Sequence, residues 1–288
     1  MAHTHDGIDW PARLVPMRRT DEIEAEINSW VADRLVNPLP ERATVVDVGS
    51  GSGGMAVAFA AALGARSGGR LVLVDAVPEL QEAARTVVEA VGAADVEIVT
   101  VLTDLVADEL TDLPPADLVW ASRVVHHLPD ERQGVARLAR LVRAGGWFAL
   151  AEGGLSTRCL PWDVGVGEPG LQDRLIAARD TWFAEMRTGI DGAVRLPIGW
   201  NRVLADAGLL DVSAFSYLVD LPAPASEQVR LSVADWLQWQ AAVAEDRLSA
   251  VDRDAVARLL NPSGPDWVGA RDDVFVLGAS TVHLARAA

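Results

Sequence analysis

The chain contains no lysine; all 25 basic residues are arginine. A P-loop lysine, a lysine Schiff base to pyridoxal phosphate and a Tyr-x-x-x-Lys dehydrogenase pair are therefore excluded. Arginine-only usage is the habit of a GC-rich genome. Cysteine is almost absent too. The single Cys159 rules out a disulfide framework and a cysteine-held iron–sulfur cluster. No apolar run approaches the ~18 residues of a membrane-spanning helix. The opening Met1-Ala2-His3-Thr4-His5-Asp6 shows neither the basic nor the apolar region of a secretory signal. A cytoplasmic protein with no membrane partner is expected. Positive charge is scarce, and the net charge is −16. That argues against nucleic acid, whose phosphates demand a basic surface. Arg18 and Arg19 adjoin, but Asp21, Glu22, Glu24 and Glu26 follow, the pattern of a solvated helix face. His3 and His5 are spaced like a metal pair but read as a loose terminus, and no metal is expected. There is no internal repeat and no low-complexity tract.

What is present begins with size: 288 residues can bury a full core as one large domain with caps, and a hydrophobic fraction of 50% suits a globular α/β protein. The most informative stretch is Val45-Val46-Asp47-Val48-Gly49-Ser50-Gly51-Ser52-Gly53-Gly54. A buried strand breaks into a glycine turn, and Met55 to Leu63 reads as a small-residue helix. Strand, glycine turn and helix open a nucleotide-binding α/β unit. Gly49, Gly51 and Gly54 fit the G-x-G-x-x-G of a dinucleotide site. Asp47, Gly49, Gly51 and Gly53 equally fit D-x-G-x-G-x-G. Charge separates the two readings. A pyrophosphate prefers bare N–H groups at a helix N-terminus, and Asp47 would oppose it. A sulfonium cation gains from a nearby acid. Downstream, Arg70 to Asp75 is a second strand ending in an acid roughly 20 residues past the glycines, the placement that suits a ribose hydroxyl pair.

Further segments follow in order. Val96 to Leu105 is a third strand running into Thr103-Asp104. Asp117 to Ser122 is a fourth, leaving through Arg123-Val124-Val125-His126-His127-Leu128-Pro129-Asp130. Leu138 to Glu152 gives a helix end, a Gly145-Gly146 stop and a fifth strand. This succession over residues 41–152 resembles the class I S-adenosylmethionine-dependent methyltransferases, with Ala144 in place of the usual proline before the glycine pair. The resemblance implies a Rossmann-like, doubly wound, seven-stranded, mostly parallel sheet with helical cap insertions. It implies S-adenosylmethionine as cofactor and S-adenosylhomocysteine as product. It places Asp47, Gly49, Ser50, Gly51 and Gly53 against the cofactor, with Asp75 and Ala76 at the ribose. Asp104 would meet the adenine amino group, and Thr103, Leu105 and Ser122 are further cofactor contacts.

Outside that window the chain reads as 1–40, an N-terminal helical lid or dimer arm; 153–196, a cap insertion; 197–220, a helix and sixth strand; 221–270, a helical cap; and 271–288, the last strand. Residues 20–36 read as one amphipathic helix with Ile23, Ile27, Trp30 and Val31 on its apolar face and Thr20 or Asp21 as cap. Of ten tryptophans, only Trp120 and Trp147 lie within 41–152. The rest sit where the loops of a doubly wound sheet form a ligand crevice. That predicts an apolar or aromatic pocket, with Trp30, Trp162, Trp200 and Trp236 as acceptor contacts beside Arg123 and His127.

Methyl transfer is an in-line displacement, so the protein mainly positions the acceptor, aided by a base where a proton must leave. His126, just past the fourth strand, and Glu152, ending the fifth, are the candidates. The expected activity is methylation of oxygen, nitrogen or an electron-rich ring carbon in a small, largely apolar or aromatic molecule of secondary metabolism. The expected partner is that acceptor, with a homodimer possible. Two alternatives stay open: a non-methylating relative that binds the same cofactor, as a cyclase or binding protein, and an NAD(P)-dependent oxidoreductase.

Overall fold

The computed structural model describes residues 8–93, 95–106, 110 and 113–288; His3 and His5 lie outside them. The chain divides into two compact units. The first comprises Met1–Gly153, Ile190–Tyr217 and Ser280–Ala288, and the second Gly154–Gly189 and Leu218–Ala279.

In chain order the first unit opens with helices α1 (Trp10–Ile23) and α2 (Ala25–Val36). Then come β1 (Thr44–Val48), α3 (Gly54–Gly64), β2 (Gly69–Asp75), α4 (Pro78–Val91), β3 (Val96–Leu102), β4 (Ala116–Ser122) and α5 (Glu131–Ala139). Strand β5 (Val142–Arg158) leads into α6 (Leu171–Gly189). After it come α7 (Trp200–Asp206), β6 (Leu210–Leu221), α8 (Glu227–Ala244), α9 (Ala250–Leu259) and β7 (Val276–Arg286). The seven strands form one sheet in the order β3-β2-β1-β4-β5-β7-β6, and every pairing among β1 to β5 is parallel. The chain builds outward from β1 through β2 to β3, then returns to place β4 on the other side of β1. That reversal at β1 and β4 opens a crevice beyond the carboxyl ends of the strands.

Alternation along the strands feeds two cores. Val45, Leu71, Leu73, Leu118 and Trp120 face a layer that includes Phe59 of α3 and Val31 and Leu35 of α2. Their neighbours Val46, Val72, Val74 and Val119 face Val135 and Leu138 of α5 and Leu204 of α7. Strands covered on both faces carry near-continuous Val and Leu rather than an apolar–polar alternation. In the first of these cores Phe59 stands edge-on to Trp120, with centroids 5.9 Å apart.

Two expected boundaries shift. The single helix over 20–36 is two helices, broken at Glu24 (φ −97°, ψ 2°), and the first starts at Trp10, where the Asp9 side chain accepts from Ala12 N–H. The buried face of α2 is Asn28, Val31, Ala32, Leu35 and Val36, so Trp30 is rotated outward and 45% exposed. Strand β5 does not stop at Glu152. Gly153 and Gly154 have φ of +79° and +136°, which in sequence reads as a loop, yet the strand continues through them to Arg158. The helical cap expected over 221–270 opens with helix α8 at Glu227, where Ser226 accepts from Val229 N–H.

Within the second unit Gln172, near the start of α6, ties that helix to the chain leaving β5. Its side-chain oxygen accepts from the N–H groups of Cys159 and Leu160, and its amide donates to Thr157 O. Arg174 binds Asp252 through two guanidinium nitrogens. Trp182 and Trp239 meet edge-on at 6.1 Å. Among the described residues no helix is long and apolar enough to cross a membrane.

Candidate cofactor and catalytic site

At the carboxyl end of β1 the backbone turns on itself. The N–H groups of Gly49 and Ser50 both donate to Val74 O, at 2.7 and 3.1 Å, and Ser50 Oγ donates to Asp47 O at 3.1 Å. Two of the glycines are obligatory. Gly49 (φ +70°) lies where a Cβ would overlap Val124 Cγ2, and a Cβ on Gly53 (φ +96°) would stand 2.8 Å from Ala84 Cα. Asp75 locks the turn from β2: its carboxylate accepts from Gly51 N–H and Val77 N–H, each at 3.0 Å. Next to Asp75, Ala76 is half-buried. Thr103 N–H donates to Asp75 O at 3.0 Å, which brings the end of β3 alongside. Asp104 Oδ1 there accepts from Val106 N–H at 2.8 Å. Leu105 packs on the second core, and Ser122 ends β4 half-buried.

Asp47 is the unusual member. It is 2% exposed, and its Oδ2 has no hydrogen-bond partner. Burial first, then the neighbouring charges of Asp75 and Asp21, push its carboxyl up to about 7.

Asp21 was not expected here. With Glu24 it belongs to an acid run that reads as solvated, and Glu22 and Glu26 of that run are indeed exposed. Helix α1 instead crosses the glycine turn. Asp21 accepts hydrogen bonds from the Ser52 hydroxyl and Gly54 N–H, and burial is the largest influence raising its pKa. Met17 Cε lies 3.3 Å from the position of a Cβ on Gly51. No local signal marks these contacts, since they join segments far apart in sequence through tertiary packing.

The exit of β4 carries the second cluster. Arg123 has a left-handed backbone (φ +56°), its N–H donates to Ala151 O at 3.1 Å, and its charge acts on Asp21 and Glu24. Burial raises Glu24, which Arg123 opposes and Asp21 reinforces. A single helical turn, Val125–His127, follows. His126 Nδ1 lies 2.9 Å from Glu152 Oε2, and Glu152 Oε1 accepts from Val125 N–H at 3.0 Å. Glu152 is 6% exposed. The two candidate catalytic residues therefore form one hydrogen-bonded unit. His127 is exposed, its ring 4.2 Å from that of His126. On β7, His283 hydrogen-bonds the main-chain oxygen of Glu152, and burial lowers its pKa.

The tryptophans are spread more widely. Trp30 lies edge-on to Phe215 at 5.7 Å, with the Arg34 guanidinium 5.6 Å from its ring centre. Trp200 packs against the second core. Trp162 and Trp236 belong to the second unit, the former 71% exposed and the latter half-buried on α8.

Residues 46–148 match a family model described as a methyltransferase domain. That segment, 103 of the 288 residues, is similar to a methyltransferase domain. Over 131 residues it is 31% identical to the 27-O-demethylrifamycin SV methyltransferase of Amycolatopsis mediterranei; the alignment spans 44% of this chain and 45% of that protein, less than half of either. Its fold is similar to that of Haemonchus contortus phosphoethanolamine N-methyltransferase 2 bound to phosphomonomethylethanolamine and S-adenosylhomocysteine. There the TM-score is 0.51 at 14% identity, covering 91% of this chain and 52% of that one. The same enzyme with S-adenosyl-L-methionine gives 0.50 at 15% identity, with the same coverage. At such identities the likeness shows the fold alone.

The matched methyltransferase domain implies S-adenosylmethionine as cofactor, and the chain's own residues fit it. The buried, unpartnered Asp47 oxygen beside the glycine turn favours a cation over a phosphate. One consequence is measurable in the ligand-free protein. A carboxyl near 3.8 in the unfolded chain and about 7 in the folded one binds more protons when folded. Its contribution is therefore favourable below the unfolded value and is lost as pH rises from about 4 through 7. Asp47→Asn is expected to raise the Tm of the ligand-free protein at pH 8, with little change at pH 4. Thermal melts across that range check the sign; an equal shift at both pH values would contradict it.

Proposed function

We propose that the protein methylates a hydroxyl oxygen of a small, largely apolar or aromatic molecule of the natural-product kind. The observation that carries this reading is the hydrogen-bonded pair of the buried Glu152, within β5, and the half-buried His126, on the turn beyond β4. Bound S-adenosylmethionine supplies a methyl group on a sulfonium, whose carbon–sulfur bond breaks as the acceptor oxygen bonds to carbon. The proposed cofactor contacts are Asp47, Gly49, Ser50, Gly51 and Gly53 at the turn and Asp75 with Ala76 at the ribose. Thr103, Asp104, Leu105 and Ser122 surround the base.

An ionised carboxylate only accepts hydrogen bonds, so Glu152 fixes the proton of His126 on Nδ1 and makes Nε2 the basic atom. Nε2 then takes the hydroxyl proton as the oxygen attacks. Val125 N–H holds the other carboxylate oxygen, which fixes the rotamer of Glu152 and with it the imidazole plane. The imidazolium so formed is stabilised by a carboxylate shielded from water. Such a pair serves an acceptor that must lose a proton; a neutral amine attacks through its lone pair without one. The partial relative's name, a 27-O-demethylrifamycin SV methyltransferase, supports an oxygen acceptor. Arg123 and His127 are proposed to flank that acceptor.

The test is transfer of isotopically labelled methyl from S-adenosylmethionine to matched phenols, alcohols and amines. Label in an ether is the expected outcome. Label on nitrogen alone would replace the oxygen assignment, and product formed without consumption of S-adenosylmethionine would mark a non-methylating relative.

A further inference from the structure

Helix α1 lies across the glycine turn without burying any residue of its own, so apolar packing holds it only weakly. Asp21 ties it to the turn, through Ser52 and Gly54 N–H. Gly54 begins α3, and the preceding Gly53 provides no side-chain cap. Asp21 therefore satisfies a donor the helix leaves open, at the end that favours an anion. The same carboxylate acts on Asp47, together with Asp75. Asp47 Oδ2 is buried and unpartnered, so one turn is ringed by three acids drawn from β1, β2 and α1. Arg18 and Arg123 face Asp21, and Glu24 faces both Arg123 and Asp21. The charges acting on Asp47 are both acidic, and together with burial they push it up to about 7.

That shell is matched by a cation. S-adenosylmethionine carries a net positive charge from its sulfonium, ammonium and carboxylate. S-adenosylhomocysteine has lost the sulfonium charge and is net neutral. We propose that α1 is a charge-sensing lid: Asp21, with Asp47 and Asp75, holds it closed over the cationic cofactor and lets it loosen once the methyl group has left. The lid rests on the cofactor assignment above. It makes the neutral product the ligand least able to keep the site closed, which favours product release after transfer.

The test is calorimetric titration at pH 8 with S-adenosylmethionine, S-adenosylhomocysteine and sinefungin, which carries an amine cation where the cofactor has its sulfonium. Asp21→Asn keeps an oxygen for Ser52 and Gly54 but removes the charge. The ratio of S-adenosylmethionine to S-adenosylhomocysteine affinity is expected to fall about tenfold in that variant, a ~1.4 kcal/mol difference. Sinefungin should follow the cofactor. Asp47→Asn, which leaves α1 untouched, should reduce the same ratio. Hydrogen exchange gives a second readout. The α1 amides should be slower in the S-adenosylmethionine and sinefungin complexes than in the S-adenosylhomocysteine complex, with the difference gone in Asp21→Asn. Equal weakening of all three ligands, or equal α1 protection in all three complexes, would overturn the lid alone. Failure of all three to bind the wild-type protein would overturn the cofactor assignment and the lid together.

Discussion

His126→Ala should lower kcat for methyl transfer by about 10²–10⁴-fold, the range lost with a positioned general base, while S-adenosylhomocysteine affinity stays within about a factor of two of wild type. The separation follows from position. His126 lies on the turn beyond β4 and is bound to Glu152, whereas the glycine turn is held by Val74 and Asp75. Glu152→Gln should cost a comparable amount. The amide can present its NH₂ to Nδ1 and favour the wrong tautomer, and Val125 N–H loses a charged acceptor. Because the two residues act as a unit, the double variant should be scarcely slower than the worse single one. Rates that multiply would mean independent roles, and unchanged turnover in His126→Ala would remove this histidine from the chemistry.

Asp75→Ala should weaken S-adenosylhomocysteine binding by about 10²-fold. Hydrogen bonds to a charged group are worth about 1.5–3 kcal/mol, and two ribose hydroxyls would lose their acceptor. The loss has a second source, because one carboxylate oxygen already holds the glycine turn at Gly51 while the other accepts from Val77 N–H ahead of α4. Adenine, which lacks the ribose, separates the two. If its weak binding is kept while S-adenosylhomocysteine binding collapses, the ribose contact is responsible. Unaltered affinity for S-adenosylhomocysteine would remove Asp75 from the cofactor site.

The core of the fold is legible in the sequence because its signals are local. Val45 to Gly54 marks a strand and its turn within ten residues, and successive apolar strands with acids at their ends mark a parallel sheet covered on both faces. Element ends were less legible where tertiary pairing overrides a local stop, as at Gly153-Gly154 within β5. The helix over 20–36 failed at Glu24 for a related reason. Its apolar spacing suits one continuous helix, but the buried face turns out to be Asn28, Val31, Ala32, Leu35 and Val36, and α1 goes over the glycine turn instead.

The site was legible residue by residue but not as an arrangement. His126 and Glu152 each stand out at a strand end, yet nothing in the spacing says that they bond. Asp21 was concealed because an acid run reads as solvent-facing, and only packing of α1 onto the turn distinguishes Asp21 from the exposed Glu22 and Glu26. The tryptophans carry the opposite lesson. Large aromatic residues outside the core suggest a pocket, but Trp30 and Trp200 in the first unit and Trp182 with Trp239 in the second have packing partners of their own.

The measurement that decides most is titration of the wild-type protein with S-adenosylhomocysteine and, separately, with NADPH. The buried Asp47 of β1, with an unpartnered oxygen beside the glycine turn, should accept the first at micromolar concentration and reject the pyrophosphate of the second. Binding of NADPH without S-adenosylhomocysteine would contradict the assignment of this turn to a sulfonium cofactor.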